Sequence, residues 1–228
     1  AGTSGANLIT RFDASKFKTK FACELKGFNV EDHIERKEAR KMDPYTHYAM
    51  VVVKEAIQDS GLDLEKINRD RVGVIWGSGI GGLYTFQQEC FEFAKGDGTP
   101  RFNPFFIPKM IADIASGYIS IQYGFRGPNY TTVSACASSN NAIIDACTYI
   151  RLGKADVFVT GGSEAAITEA GVGGFNALKA LSENNENFAT ASRPFDQTRD
   201  GFVLGEGGGC LILESYEHAV ARGAKIYA

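Results

Sequence analysis

The chain has 228 residues, 44% of them hydrophobic and 22% charged, with a formal charge of −3. That length can enclose one sizeable core, and the composition is that of a folded globular protein rather than a disordered one. The small charge provides no overall field to gather nucleic acid or anionic lipid, and no apolar run approaches the length that spans a bilayer.

In chain order, residues 1–30 read as loop and irregular strand. Tyr45, Ala49, Val52, Val53, Ala56 and Ile57 recur on one face of a helix, which Gly61 is placed to end. Val72-Gly73-Val74-Ile75-Trp76 reads as a short buried strand and Leu83–Lys95 as a second helix. Gly96-Asp97-Gly98-Thr99-Pro100 then breaks the chain. Tyr130–Val133 is a β-branched and aromatic strand. It leads through Ser134-Ala135-Cys136 into a helix with Ala142, Ile143, Ala146, Cys147 and Ile150 on one face and Gly153 at its end. Asp156–Thr160 and Cys210–Leu213 are further buried strands, and Ser215 caps a last helix that stops at Gly223. Lys225-Ile226-Tyr227-Ala228 reads as the start of another strand. Strands that alternate with helices and read as continuous apolar runs imply an α/β layered fold with a covered sheet.

Five cysteines, Cys23, Cys90, Cys136, Cys147 and Cys210, are odd in number and lack CxxC spacing. They argue against a disulfide framework or a metal site and for a reducing compartment, the cytoplasm. Cys147 and Cys210 fit the ordinary fate of a buried, inert thiol. Cys136 does not. Its neighbours in Val133-Ser134-Ala135-Cys136-Ala137-Ser138-Ser139 are small and polar, and it stands where a strand turns into a helix. Backbone N–H groups and the helix dipole there favour the thiolate, the species that attacks carbonyls, and can hold an oxyanion.

Glycines cluster at 77–82, 161–174 and 201–209. Any one cluster is explained by tight turns; three beside strands suggest loops converging on a crowded site. Gly77-Ser78-Gly79-Ile80-Gly81-Gly82 also matches the dinucleotide fingerprint G-x-G-x-x-G. That fingerprint requires a second strand ending in an acid about 20 residues on, and a loop with prolines stands there instead. His33, His47 and His218 lie in settings that suit surface or capping roles rather than a catalytic base. A cysteine acyltransferase needs a base or proton donor, so the residues look chemically incomplete. Lys37, Arg40 and Lys41 share one helical side at i, i+3, i+4, which by itself reads as a solvated face.

Taken together and in order, these motifs resemble the β-ketoacyl-[acyl-carrier-protein] synthases. The resemblance is carried by Phe12-Asp13, Lys20-Phe21-Ala22, Arg36–Asp43, Gly77–Gly82, Asn103–Pro108, Tyr123–Pro128 and Ser134–Ser138. It continues through Gly161-Gly162-Ser163-Glu164, Gly171–Phe175, Ala177–Ser182, Ser192–Asp196 and Arg199–Gly207. Gly171-Val172-Gly173-Gly174-Phe175 and Arg193-Pro194-Phe195-Asp196 lean towards synthase II. The resemblance implies a thiolase-like layered fold, α/β/α/β/α when complete, in a homodimer. Residues 1–228 would be its N-terminal ketosynthase domain without the first strand, and the C-terminal half with two histidines, a lysine, a second oxyanion donor and a gating phenylalanine would lie beyond Ala228. Alone, that piece is expected to be inactive and poorly soluble. By the same resemblance Cys136 is the acyl-accepting nucleophile, and its own N–H is one oxyanion donor. Ile80 and Phe175 line the acyl pocket, Phe106 approaches the partner subunit's pocket, and Phe202 stands beside the active site. Lys37, Arg40, Lys41 and Lys179 receive an acyl carrier protein. That carrier brings the phosphopantetheine, so no metal or other cofactor is expected. The implied reaction is a decarboxylative Claisen condensation with malonyl-carrier protein in fatty-acid elongation. A polyketide ketosynthase module, a thiolase and a non-catalytic chain-length subunit are the neighbouring alternatives, and the presence of Cys136 counts against the last.

Overall fold

The structure is a computed structural model and describes residues 2–228. The chain opens with two short strands, β1 (Asn7–Leu8) and β2 (Phe21–Ala22), paired antiparallel. A four-residue helix, α1 (Arg36–Ala39), precedes the long α2 (Pro44–Ser60). Local chemistry sets both ends of α2. Asp43 caps it by accepting the Tyr45 N–H, Pro44 occupies the first turn, and Gly61 leaves in the left-handed region at φ 62°. The other oxygen of Asp43 accepts from the N–H (2.9 Å) and hydroxyl (2.7 Å) of Thr85 in α3 (Leu83–Lys95), tying two helix starts together. Burial pushes this carboxyl above its ordinary range, against those hydrogen bonds.

The centre is a four-stranded sheet in the order β4-β3-β5-β6, formed by β3 (Val72–Gly77), β4 (Asn129–Thr132), β5 (Val157–Glu164) and β6 (Gly207–Glu214). β3 runs parallel to β4 and β5, and β6 is antiparallel to β5. The strand period of two divides the core. Val72, Val74, Trp76, Val157 and Val159 face α2 and α5 (Ile114–Tyr123), whose Tyr45, Ala49, Val53, Ala115 and Ile119 complete that layer. Ile75 and Phe158 face the other way, onto Ala142 and Ala146 of α6 (Ser138–Arg151). Both faces of β3 and β5 are therefore covered, which is why these strands read as unbroken apolar runs. A smaller cluster of Ala22, Ala166, Ile167, Val172, Leu181 and Leu204 packs around α7 (Glu169–Ala177). The last helix is α8 (Tyr216–Ala221), capped by Ser215 onto the His218 N–H.

Three helices depart from the sequence pattern. α4 (Phe106–Met110) and α5 follow loop-like or proline-bearing segments, and α7 holds three glycines in nine residues. Glycine costs a helix about 1 kcal/mol per residue, so packing rather than propensity forms α7. The second glycine cluster is thus partly helix, and Gly207–Gly209 belong to a strand rather than a loop. Lys225–Ala228 joins no strand among the described residues and is coil.

α6 begins over the paired ends of β3 and β5, at Gly77 and Gly162. A Cβ at Gly77 would stand 2.5 Å from the Ser139 backbone nitrogen, and one at Gly162 would stand 2.1 Å from the Ser139 Oγ. Gly77→Ala therefore has to displace the first turn of α6, an overpacking that costs about 1–3 kcal/mol. Gly117→Ala, inside α5 with nothing within 4 Å of the added carbon, gains up to about 1 kcal/mol of helix propensity. Urea midpoints should fall for the first and hold or rise for the second; equal effects would remove the steric reading.

Candidate active site

β4 delivers the chain to Ser134, a single 3-10 turn spans Ala135–Ala137, and α6 starts at Ser138. Ala135, immediately before Cys136, sits at φ 51°, a left-handed conformation uncommon outside glycine. Such a residue costs on the order of 1–3 kcal/mol and persists where its surroundings hold it. Here the buried Ser138 hydroxyl donates to the Ala135 carbonyl (2.7 Å) and accepts the Ser134 N–H (2.9 Å). The Thr132 hydroxyl donates to the Ser138 carbonyl (2.7 Å), and Asn141 donates to the Ser134 hydroxyl (2.7 Å). The result is an exposed Cys136. Among the described residues its N–H meets no protein acceptor and its Sγ makes no hydrogen bond. A free N–H beside a thiol is what an acyl oxyanion needs.

Cys136 opens on a cavity of about 880 Å³. Its walls come from Val51 and Val52 of α2, from Leu25 and Phe28, from Ile80 in the β3–α3 loop, and from Phe175, Phe202 and Leu204. Phe175 and Phe202 meet edge to face, with ring centroids 5.4 Å apart. Gly77, Gly79, Gly162, Gly205, Gly207 and Gly208 also line it, so all three glycine clusters converge there. Four of the residues singled out from the sequence are brought together: Cys136, Ile80, Phe175 and Phe202. Phe106 is not; it lies on α4, stacked between Phe86 and Phe102 at 6.3 and 5.4 Å, away from this cavity's lining.

Sequence reasoning missed three polar residues of the wall. His33 closes a short 3-10 turn and stacks on Phe28 (5.5 Å), and it borders the cavity. Glu206 is 2% exposed, paired with Arg11, and accepts the Leu25 N–H at 2.8 Å. Glu164, at the end of β5, accepts the N–H groups of Gly79 (2.6 Å) and Ile80 (3.1 Å). Burial pushes Glu164 above the usual carboxylate range, against the hydrogen bonds from that loop. The signal available was the position of Glu164 and Glu206 beside glycine clusters at strand ends.

The other thiols and histidines have structural places. Burial pushes the Cys210 thiol up to about 12, and Cys210 and Cys147 border a separate cavity of about 530 Å³. His47 bonds through Nε2 to the Ala39 carbonyl (2.8 Å), and burial lowers its pKa. His218 is held by Glu214 (2.7 Å). The basic face is smaller than its spacing implied. α1 ends at Ala39, and Lys41, in the turn beyond, is drawn onto Glu38 at 2.7 Å. Lys37, Arg40 and Lys179 are exposed and form no ion pair among the described residues. No group of three or more His, Cys, Asp or Glu side chains gathers in a metal-binding arrangement among the described residues. The β3–α3 loop is followed, after α3, by a loop and α4 rather than by a strand, so the dinucleotide fingerprint lacks its second half. No helix among the described residues is long and apolar enough to cross a membrane.

Comparison with known proteins agrees with this geometry. The family model described as β-ketoacyl synthase, N-terminal domain, matches residues 2–219. A 3-oxoacyl-[acyl-carrier-protein] synthase 2 of Staphylococcus aureus is 48% identical over 227 residues, covering all of this chain and 56% of that protein. The chloroplastic 3-oxoacyl-[acyl-carrier-protein] synthase I of Arabidopsis thaliana is 45% identical over 231 residues, covering all of this chain and 49% of that protein. A crystal structure of a β-ketoacyl synthase from Burkholderia phymatum superposes with a TM-score of 0.87 at 32% identity, over 99% of this chain and 55% of its own. A type II polyketide ketosynthase, solved with its acyl-carrier protein and bound to a hexaketide, gives a TM-score of 0.74 at 26% identity, over 88% and 55%. The chain spans about half the length of the curated relatives it matches. With its thiolase-like layered fold and the turn that exposes Cys136, this chain belongs to the β-ketoacyl synthase family, over that family's N-terminal domain.

Proposed function

We propose that this chain carries the acyl-holding part of a 3-oxoacyl-[acyl-carrier-protein] synthase of the synthase II kind, acting in fatty-acid elongation in the cytoplasm. One observation carries the reading: an exposed cysteine with a free backbone N–H at the mouth of an apolar cavity. The Cys136 thiolate attacks the carbonyl carbon of an acyl thioester on the carrier protein. A new C–S bond forms, the oxyanion rests on the Cys136 N–H, and the phosphopantetheine thiolate leaves with the carrier. The acyl chain lies in the cavity against Ile80, Phe175 and Phe202. Malonyl-carrier protein then loses CO₂, and its enolate attacks the Cys136 thioester, which releases the thiolate and gives a β-ketoacyl-carrier protein two carbons longer. Thioester chemistry alone suffices, with the pantetheine supplied by the carrier. Cys136 Sγ has no hydrogen-bonding histidine among the described residues, so the groups that assist decarboxylation are assigned elsewhere in the enzyme.

Two surfaces extend the reading. Phe86, Phe93, Phe102, Phe105 and Ile107 on and between α3 and α4 are each 40% or more exposed and lie close together. A patch of this kind marks an association surface, and we assign it to a second copy of the chain, which Phe106 faces. Lys37, Arg40 and Lys179 supply charge for an acidic carrier protein, with Lys41 largely neutralised by Glu38. The polyketide ketosynthase among the structural neighbours favours a second reading, a polyketide substrate; the 45–48% identity to 3-oxoacyl-[acyl-carrier-protein] synthases favours the first.

Incubation of the enzyme with acyl-carrier protein should add one acyl mass, mapped to Cys136 and lost in Cys136→Ala. An adduct that survives the substitution would place the nucleophile elsewhere. Lys37→Glu with Arg40→Glu should raise KM for acyl-carrier protein about 10-fold, roughly 1.4 kcal/mol. Turnover of an acyl-pantetheine should barely move; equal loss with both substrates would mean that these residues serve folding.

A further inference from the structure

The Glu164 carboxylate is half-buried in the cavity wall, with no cation within salt-bridge distance among the described residues. A carboxylate drawn partly out of water without a cation depends on its hydrogen-bond donors, so its partners matter. All of them belong to one loop, Ser78–Gly81. Oε2 accepts the N–H groups of Gly79 (2.6 Å) and Ile80 (3.1 Å), and the Ser78 hydroxyl lies 3.5 Å from Oε1. That hydroxyl accepts the Gly81 N–H at 3.1 Å, which closes the loop on itself. Hydrogen bonds to an ionised acceptor are about twice as strong as neutral ones.

The same loop is confined on its other sides. The Gly82 N–H donates to the Met110 carbonyl of α4 (2.9 Å), and a Cβ at Gly82 would stand 2.2 Å from the Lys109 carbonyl oxygen. A Cβ at Gly79 would stand 3.4 Å from the Ala135 carbonyl, so the loop also abuts the strained residue before Cys136. Ile80, the only branched side chain in Ser78–Gly81, is thereby held at the wall of the cavity that Cys136 enters.

We propose that Glu164 is a positioning residue that holds Ile80 in the cavity wall and through it limits the acyl-chain length the site accepts, an inference that rests on the acyl-transfer function proposed above. Glu164→Gln keeps the shape but replaces the charged oxygen that both amides meet with a neutral one, which loosens the hold on Ile80. The acylation rate of Cys136 in the full enzyme, read by intact mass with hexanoyl- and hexadecanoyl-carrier protein, tests this. In Glu164→Gln the long-to-short rate ratio should shift about 10-fold towards the longer chain, in the same direction as Ile80→Ala. The double variant should shift no further than Ile80→Ala alone. Ser78→Ala, which keeps the carboxylate and removes the loop's inner bond, should shift the ratio the same way by a few-fold, and it stands in if Glu164→Gln does not fold. A fall in Tm with an unchanged ratio in either variant, or additive shifts in the double variant, would overturn the role. A wild-type enzyme with no adduct on Cys136 would instead overturn the acyl-transfer reading, and this inference with it.

Discussion

The close seating of α6 on the sheet governs the rest of the molecule. Where β3 and β5 end side by side, Gly77 faces Gly162, and the first turn of α6 rests on these two backbones with no side chain between. This contact sets the height at which the preceding turn leaves β4. In that turn Ala135 is held in a left-handed conformation, and Cys136 is exposed instead of packed in the core. The layer beneath can accept the helix because Ala142 and Ala146 present only methyl groups to Ile75 and Phe158. Small residues in the strand ends and in the helix face thus seat α6 closely beside the exposed Cys136.

The cavity follows from the same arrangement. β5 and β6 run antiparallel past one another, so Glu164 at the end of β5 pairs with Gly207 at the start of β6. Both stand level with Cys136 around a single opening. Two acids stand in that wall. Glu206 anchors the N-terminal segment through Arg11 and the Leu25 N–H, and Glu164 anchors the β3–α3 loop. Each meets a different kind of partner, a guanidinium in one case and bare amides in the other. Apolar lining is therefore held in place by polar residues behind it, which is how a wall can be both greasy and fixed.

Much of this was legible in the sequence where periodicity or a cap carries the information. α2, α3, β3, the start of α6 and α8 lie within a residue or two of where their patterns place them, because apolar spacing, Gly61 and Ser215 act locally. Cys136 stood out for a similar reason, as a cysteine among small polar neighbours at an element junction. The helices α5 and α7 were hidden because tertiary packing forms them against their local composition. The basic face shrank because Glu38 is near enough in space to claim Lys41, something helical spacing cannot show. Glu164 and Glu206 were hidden for a deeper reason. An acid beside glycines reads as a turn, and the sheet's antiparallel last pair brings both of them to the cavity that Cys136 lines.

The central claim is that the turn before α6 presents Cys136 to an apolar cavity with its own N–H free to hold the acyl oxygen. A crystal structure of the enzyme trapped as the Cys136 acyl thioester tests it most directly. The carbonyl oxygen should lie within about 3 Å of the Cys136 nitrogen, with the alkyl chain passing Ile80 and Phe202 into the cavity. A chain lying along the outer face of α6, or a carbonyl oxygen turned away from that N–H, would contradict it.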